Sequence, residues 1–241
     1  MIKNILRKNA FFMAQKTRKL NQIMQALVAR DKEDAQMDAE IRANLLSQGM
    51  TVKEPRKVIE IDTGEVIRIE NVVDKIISEV EEDFRFISLE GSSGSGKSTT
   101  TDALAERLAA IRISNGEVFR FLTHKHLSEN AENFEEILSE SYYKLTEEGI
   151  QLFHQEINVT KDLFNELRDL KLEPEVPRIG KRSQKEVIEF IEREVKRLNK
   201  DLNKKVLIEG RAFALDFLPS DLRIKLKASP RVRAARRAKE R

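Results

Sequence analysis

A glycine-rich segment in the middle of the chain constrains the fold more than any other feature. Residues 91–98, GSSGSGKS, match the pattern G-x-x-x-x-G-K-[ST] at every fixed position. The apolar run 84–89 precedes the segment and the helix-like sequence TTTDALAERLAAI follows it, which is the context that this motif requires. The glycines let the backbone curl around phosphate oxygens, and the helix N-terminus favours anions. The sequence therefore predicts a nucleoside-triphosphate site.

The residues of the loop have separate expected roles in that site. We expect the whole loop and the first helical residues to bind the cofactor: Gly91, Ser92, Ser93, Gly94, Ser95, Gly96, Lys97, Ser98 and Thr99. Lys97 would reach the β- and γ-phosphates, and the Ser98 hydroxyl would bind Mg²⁺. Glu209 ends the apolar strand 206–208, where a second metal-site carboxylate is expected, although a solvent-facing acid is the alternative. ATP and Mg²⁺ are the expected cofactors.

Short apolar runs alternate with helical patterns after residue 85. Residues 206–208 and 222–226 are predicted to form further strands beside the run at 84–89. Strands that are separated by helical stretches favour a parallel sheet covered by helices. The predicted fold class is therefore a three-layer α/β fold with a central parallel sheet.

The first 84 residues have a different pattern. Apolar residues recur at a helical period over residues 3–48, and Gly49 is expected to end that helix. β-branched runs on both sides of a Gly-containing turn predict a hairpin over residues 57–69. Asn71 is expected to cap a helix over residues 72–82. We therefore expect a helical and hairpin extension at 1–84 and a phosphate-binding domain at 85–241.

The charge of the first thirty residues leaves several interpretations open. This segment contains seven lysines and arginines and no acidic residue. The main interpretation is a long helix, or a pair of helices, that packs on the rest of the chain. A transit peptide and a surface for nucleic acid or another anionic partner are the alternatives.

Composition excludes several classes of function. The chain has 241 residues, three histidines and no cysteine, so disulfides, thiolate metal sites and cysteine nucleophiles are excluded. Its net charge is only +3 and by itself implies no partner. No apolar run is long enough for a membrane-spanning helix, and the start of the chain lacks a secretory signal pattern. A cytoplasmic location is expected.

Four stretches carry a resemblance to a known family. They are FISLEGSSGSGKSTTTDALAERL, ISNGEVFRFLT, EEGIQLFHQEINVTKDL with the following LEPEV, and VLIEGRAFALDFLPSDLRIKLKASPRVRAARRAKER. Residues 86–241 resemble cytidylate kinase, the bacterial-type CMP/dCMP kinase. The fourth stretch is similar to the family's strand, Gly-Arg segment, next strand and arginine-bearing lid, in the same order and spacing.

The resemblance implies ATP- and Mg²⁺-dependent transfer of a phosphoryl group to a pyrimidine nucleoside monophosphate, CMP or dCMP. It places the acceptor near four residues: Asn115, Gly116, Arg120 and Arg211. An acceptor-side insertion is expected at about 114–200. A lid is expected from about 230, with Arg233 and Arg237 as catalytic residues beside Lys97.

Two other functions remain open, and partners are only partly predicted. One alternative is a nucleotide-binding regulatory protein with impaired catalysis, and the other is a P-loop kinase with a different small-molecule acceptor. We expect no membrane partner and no nucleic acid, and the oligomeric state is not predicted.

The sequence also departs from the family pattern. The Asp that follows the family's Gly-Arg pair is Ala212 here, and the strand-end Asp is Glu209. The family continues after the lid with the rest of the lid, a last strand and a last helix, and none of these follows Arg241. Because an unpaired sheet edge is a liability, we expect the hairpin or the helices of residues 1–84 to cover the open edge.

Overall fold

The computed structural model describes the backbone of residues 2–66, 68–169 and 171–240, and the side chains of residues 17–66, 68–169 and 171–238. In chain order the strands are β1 (Lys57–Asp62), β2 (Phe86–Gly91), β3 (Ile111–Ser114), β4 (Ser141–Thr146), β5 (Gly149–His154), β6 (Ile157–Asn158), β7 (Val206–Glu209) and β8 (Leu222–Lys227). The α-helices are α1 (Ile2–Ser47), α2 (Ile69–Ile77), α3 (Lys97–Leu108), α4 (Asn115–Glu129), α5 (Phe134–Ser139), α6 (Val159–Asp162), α7 (Val176–Arg182), α8 (Gln184–Leu202), α9 (Ala212–Leu215) and α10 (Pro230–Glu240), and a 3₁₀ turn covers Glu166–Arg168.

Five parallel strands form the central sheet in the order β1-β8-β2-β7-β3. The strands β2 and β7 are apolar along most of their length because both of their faces are covered. The predicted strands at 84–89, 206–208 and 222–226 are confirmed as β2, β7 and β8. The phosphate-binding loop leaves the carboxyl end of β2, in the middle of the sheet, and leads directly into α3.

Two apolar cores lie on the two faces of this sheet. Val206 and Ile208 of β7 point into a core that includes residues of α1, α4, α5 and α8. Leu207, which alternates with them, points into a second core with α2 and α3. The predicted three-layer α/β fold is therefore confirmed.

The edge of the sheet is formed by the segment that precedes the phosphate-binding loop. β1 pairs in parallel with β8 over six residue pairs, from Lys57 opposite Leu222 to Asp62 opposite Lys227. The expectation that residues 1–84 cover the open edge is therefore confirmed. β1 is an integral part of the packed sheet, because the side chain of its residue Ile61 is fully buried.

The predicted hairpin over residues 57–69 is wrong. The turn after β1 does form, since Glu65 and Val66 both donate backbone hydrogen bonds to the carbonyl of Asp62. The chain then enters α2 at Ile69 rather than returning as a strand. The β1 backbone takes β8 as its partner, more than 160 residues away, and local turn signals do not reveal such a partner. For the same reason Asn71 lies inside the first turn of α2 and is not its cap.

The long N-terminal pattern folds as one helix. α1 ends at Ser47, and Gly49 then adopts a positive φ of 83° that favours glycine. Its side chains at Ile41 and Leu45 are buried in the first core, so the helix packs on the domain as expected. Among the residues that the structure describes, no helix has the length and apolarity needed to cross a membrane.

A smaller antiparallel sheet, β4-β5-β6, lies between α5 and α6 in the chain. It belongs to the predicted insertion at about 114–200. β4 and β5 form a hairpin whose turn contains Gly149 with a φ of 108°. Leu145, Ile150 and Thr160 of this insertion line the same large cleft as the phosphate-binding loop.

Candidate active site

The phosphate-binding loop has a backbone shape that requires its glycines. Gly94 and Gly96 have φ angles of 81° and 94°, in the left-handed region that other residues rarely adopt. A Cβ atom on Gly91 would lie 2.5 Å from the carbonyl oxygen of Leu226 and 2.6 Å from the Oγ of Ser95. The Ser95 hydroxyl is itself buried without a hydrogen-bond partner among the described residues. A loop of this shape directs its backbone N–H groups toward an anion.

Lys97 begins α3 and lies against the loop. Its Nζ donates a hydrogen bond to the carbonyl oxygen of Gly91 at 2.5 Å and a longer one to that of Ser92 at 3.4 Å. Burial lowers the pKa of Lys97 below its usual value, and the opposite charge of Glu209 offsets part of that effect. The lysine is therefore a half-buried cation at the place where the phosphates of a nucleotide would need one.

Ser98 and Glu209 come together as the sequence predicted for a metal site. The Ser98 hydroxyl donates to Glu209 Oε1 at 3.0 Å, and Arg112 Nη2 donates to Oε2 at 2.9 Å. Arg112 also pairs with Asp102. A hydroxyl and a carboxylate are oxygen ligands of the kind that Mg²⁺ prefers, so these residues fit the metal. Thr99 lies beside them in the first turn of α3, where it is exposed.

The arginines of α10 lie directly on the phosphate-binding loop. Arg233 donates to the carbonyl of Ser93 at 3.2 Å, and Arg237 donates to the Ser93 hydroxyl at 2.7 Å. Arg236 was not among the predicted site residues, but it donates to the carbonyl of Gly94 at 3.1 Å. Its position three residues after Arg233, on the same helix face, is the signal that could have identified it.

Arg236 also joins the loop to the edge strand. It donates to the backbone oxygen of Thr63 at 2.6 Å, and the buried Thr63 hydroxyl donates to the carbonyl of Ser95 at 2.8 Å. The turn after β1 therefore supports both the loop and the helix above it, although no sequence pattern singles out Thr63.

The four residues predicted on the acceptor side line one cleft with the loop. Asn115 begins α4, and both polar atoms of its buried amide lack a hydrogen-bond partner among the described residues. Gly116 follows it. Arg120 donates to Glu173 at 3.1 Å across the cleft, and Arg211 pairs with carboxylates of α1. The structure therefore brings the predicted donor and acceptor residues into one space.

Three aspartates of α1 belong to this neighbourhood and were not predicted. Asp31 pairs with Arg233, while Asp34 and Asp38 pair with Arg211 at 3.2 and 2.6 Å. Burial raises the pKa of Asp38, and Arg211 opposes that rise. Their spacing of three and four residues puts them on one helix face, which is the sequence signal that could have found them.

Glu117 is a further unpredicted residue of the acceptor side. It lies on α4, lines the cleft and accepts a hydrogen bond from the Thr160 hydroxyl at 2.7 Å. Burial raises the pKa of Glu117, and the hydrogen bond from Thr160 only partly compensates. Gln184 also lines the cleft, and its buried Oε1 lacks a hydrogen-bond partner in the described part of the chain.

The cleft is large enough for more than one small molecule. Its volume is about 1790 Å³, whereas a typical site for one small ligand has roughly 300–1,000 Å³. The phosphate-binding loop lines one part of it, and α4 with the insertion lines another. A cleft of this volume can hold more than one ligand of that size.

Comparison with known proteins gives a consistent result. The sequence model of the family described as cytidylate kinase matches residues 87–241. The chain is similar to a cytidylate kinase of Alkaliphilus oremlandii, with 30% identity over 162 residues that cover 64% of this chain and 70% of that protein. A cytidylate kinase of Chlamydia felis gives 30% identity over 166 residues, with 64% and 70% covered.

A bifunctional pantoate ligase/cytidylate kinase of Prochlorococcus marinus is 31% identical over 159 residues, which cover 63% of this chain and 30% of that longer protein. The family match extends over more than half of this chain and includes the loop, the acceptor-side residues and the arginine-bearing helix. The chain therefore belongs to the cytidylate kinase family and is a nucleoside monophosphate kinase.

Proposed function

We propose that this protein transfers the γ-phosphoryl group of ATP to CMP or dCMP in the presence of Mg²⁺. The observation that carries the proposal is one large cleft, which joins a complete phosphate-binding loop to a second set of arginines and to polar groups that lack hydrogen-bond partners among the described residues. The donor and acceptor phosphates could therefore meet without leaving the protein.

The donor side fits ATP and Mg²⁺. The loop amides, the Lys97 ammonium and the N-terminus of α3 supply positive charge for the β- and γ-phosphates. Ser98 and Glu209 would hold the metal, whose charge neutralises the transferring phosphate oxygens. Because Ser98 and Glu209 already contact each other at 3.0 Å, the metal ligands need little rearrangement.

The chain's own contribution to the transfer step is electrostatic. Phosphoryl transfer needs alignment and charge neutralisation more than covalent chemistry. Arg233 and Arg237 contact Ser93 of the loop, so their charges lie beside the site of the γ-phosphate. Fixed charges of this kind stabilise a transition state without reorganisation.

The acceptor phosphate would bind to Arg120 and Arg211. Both guanidinium groups are engaged by carboxylates, Arg120 by Glu173 and Arg211 by Asp34 and Asp38. A phosphate dianion can replace a carboxylate on an arginine because it offers the same bidentate geometry and more charge. The two arginines then orient the phosphate toward the loop.

The polar groups on the acceptor side support cytosine as the base. Cytosine presents an amino donor beside a ring-nitrogen acceptor, whereas uracil presents a carbonyl in place of the amino group. Glu117 offers carboxyl oxygens. The Asn115 amide and the Gln184 Oε1 lack hydrogen-bond partners among the residues that the structure describes. Because a carboxyl oxygen can accept from the amino group of cytosine, we propose Glu117 as the residue that selects cytosine over uracil.

The test is a steady-state assay of ADP formation with ATP and Mg²⁺ against CMP, dCMP, UMP, AMP and GMP. We expect turnover with CMP and dCMP that disappears in Lys97→Ala. Glu117→Gln should lower the CMP-to-UMP preference by about 10-fold or more, since one hydrogen-bonded group is worth about 1–2 kcal/mol. Turnover with purines only, or ATP binding without turnover on any acceptor, would contradict the proposal.

A further inference from the structure

The edge strand β1 and its neighbour β8 have an incomplete connection between them. β8 and β1 are neighbours and run parallel. Parallel neighbours are normally joined by a crossover that contains a helix. A helix does follow β8, namely α10, and a helix does precede β1, namely α1. In this chain, however, no covalent link joins those two helices in that order.

α10 and α1 nevertheless pack together as an antiparallel pair. Arg233 of α10 contacts Asp31, whereas Arg237, one turn further along, lines a small cavity with Ile23, Leu27 and other residues that precede Asp31. The direction of α10 is therefore opposite to that of α1. The order β8, α10, α1, β1 describes one complete crossover that is interrupted between its two helices.

We propose that α1 is the second helix of the lid, so that this kinase builds its lid and its edge strand from segments far apart in the sequence. In this account Asp31 is a positioning residue that holds Arg233 for phosphoryl transfer. The inference rests on the proposed function, and it treats residues 17–66 as part of the kinase itself.

The contact between Asp31 and Arg233 has the form that positions a guanidinium group. Nη1 of Arg233 donates to one oxygen of Asp31 at 3.0 Å, and Nη2 contacts the other. Two parallel bonds fix the plane of the guanidinium group as well as its distance. The same Nη1 reaches the Ser93 carbonyl, and the Arg233 side chain is only 3% exposed. Asp31 therefore determines where this buried charge lies above the loop.

The same face of α1 also reaches the acceptor side. Asp34 and Asp38 pair with Arg211, which lines the cleft and is one of the expected acceptor-side residues. One rigid helix therefore contacts an arginine of the lid and an arginine of the acceptor site. A phosphate that displaces Asp34 and Asp38 from Arg211 would change the contacts of the helix that holds Arg233.

The first test uses substitutions at Asp31. Asp31→Asn should lower kcat about 10- to 100-fold, while KM for both nucleotides and the affinity for ATP change less than about 3-fold. Asp31→Glu should recover most of the activity. The control is Glu33→Gln, which removes one negative charge from an exposed position two residues away and should leave kcat unchanged.

A double variant separates positioning from a structural role. If Asp31 acts through Arg233, then Asp31→Asn should lower kcat little further in a chain that already carries Arg233→Lys. Fully multiplicative losses, or a change in KM in place of kcat, would overturn the role of Asp31.

The second test restores the covalent link that the topology suggests. Arg241 is joined to Met1 through a flexible linker of about 20 residues, whose average span is roughly 25 Å. The chain is opened between Glu82 and Asp83, which are exposed. We expect ATP affinity within about 3-fold, a thermal midpoint within a few degrees, and kcat within about 10-fold of the original chain.

A reordered protein that folds and binds ATP but has lost phosphoryl transfer would overturn the proposal, and so would one that does not fold. ATP affinity and the thermal midpoint do not depend on turnover. If the original chain proves inactive on every acceptor, these two readouts still test the two-helix lid, and only the proposed function fails.

Discussion

Replacement of Ile61 by alanine tests whether the edge strand β1 is an integral part of the kinase. Ile61 is fully buried between the sheet and α2, in the core that also contains Leu226 and Val72. Val58 lies on the same strand but is 48% exposed, so Val58→Ala is a matched control. Both substitutions replace a β-branched residue in one strand, and they differ mainly in burial.

The expected magnitude follows from that burial. Ile61→Ala removes three buried carbon groups at about 0.8 kcal/mol each, and the remaining cavity brings the loss to about 3 kcal/mol. For a chain of this size each kcal/mol lowers the thermal midpoint by roughly 2–4 °C. We therefore expect a decrease of roughly 6–12 °C for Ile61→Ala. Val58→Ala should cost less than about 1 kcal/mol, because half of its side chain is already in water.

The assay is thermal unfolding followed by circular dichroism at 222 nm, with the original chain and both variants at the same pH. A single transition that moves only for Ile61→Ala would agree with the structure. Equal midpoints for the two variants, or a separate early transition that alone responds to Ile61→Ala, would refute the claim that β1 completes the sheet.

Three further predictions concern charged residues. Lys97→Met should abolish the stabilisation by ATP and Mg²⁺, which is about 2.7 kcal/mol at 100 times Kd. The same change should not lower the thermal midpoint of the ligand-free protein, because burial lowers the pKa of Lys97 and its charge is unfavourable in the folded state. Burial raises the pKa of Glu117 above 4.5, so the stability that this group contributes is present at low pH and is lost as the pH rises. The thermal midpoint of Glu117→Gln, relative to that of the original chain, should therefore increase between pH 4.5 and 7. A difference in midpoint that stays constant with pH would contradict this cause. Arg223→Met should lower the free energy of unfolding in urea by about 3–5 kcal/mol, because it leaves the buried Glu90 and the carboxylate of Asp216 without their shared cation. A loss below about 1 kcal/mol would contradict this reasoning and show that other cations neutralise the two carboxylates.

Local sequence signals were sufficient for the nucleotide-binding part of the fold. The loop at 91–98, its preceding strand and its following helix depend on residues that are neighbours in the chain, and all three form as predicted. The same holds for β7 and β8, which are short apolar runs with both faces buried. Glu209 could be placed beside Ser98 because the ends of parallel strands meet at one edge of the sheet.

Pairings between distant segments could not be predicted in the same way. The turn at residues 63–66 is real, yet it does not reveal whether the chain next forms a strand or a helix. The partner of β1 is fixed by the burial of Ile61 and by its parallel register with β8, and neither has a local signature. The hairpin of β4 and β5 is hard to predict for a different reason. The only mark of β4 is an alternation of buried and exposed side chains, such as Tyr143 and Tyr142, and two adjacent tyrosines look alike in the sequence.

The acceptor side and the lid show the same limit. The sequence identifies Arg211 and Arg233 as cations near phosphates, but it does not reveal that their partners lie on α1, because that contact joins distant segments of the chain. The acidic face at Asp31, Asp34 and Asp38 is visible in the sequence as a helical spacing. The partners of these aspartates become clear only in the structure, where α10 and α1 pack as an antiparallel pair.

The proposed transfer of a phosphoryl group between two nucleotides is measured directly by phosphorus NMR. ATP, Mg²⁺ and CMP are mixed with the protein, and the phosphate resonances are followed with Lys97→Ala as the control. We expect ADP and CDP to appear in equal amounts while ATP and CMP disappear, and the control spectrum to stay unchanged. Accumulation of inorganic phosphate without CDP, or an unchanged spectrum with the original chain, would contradict it.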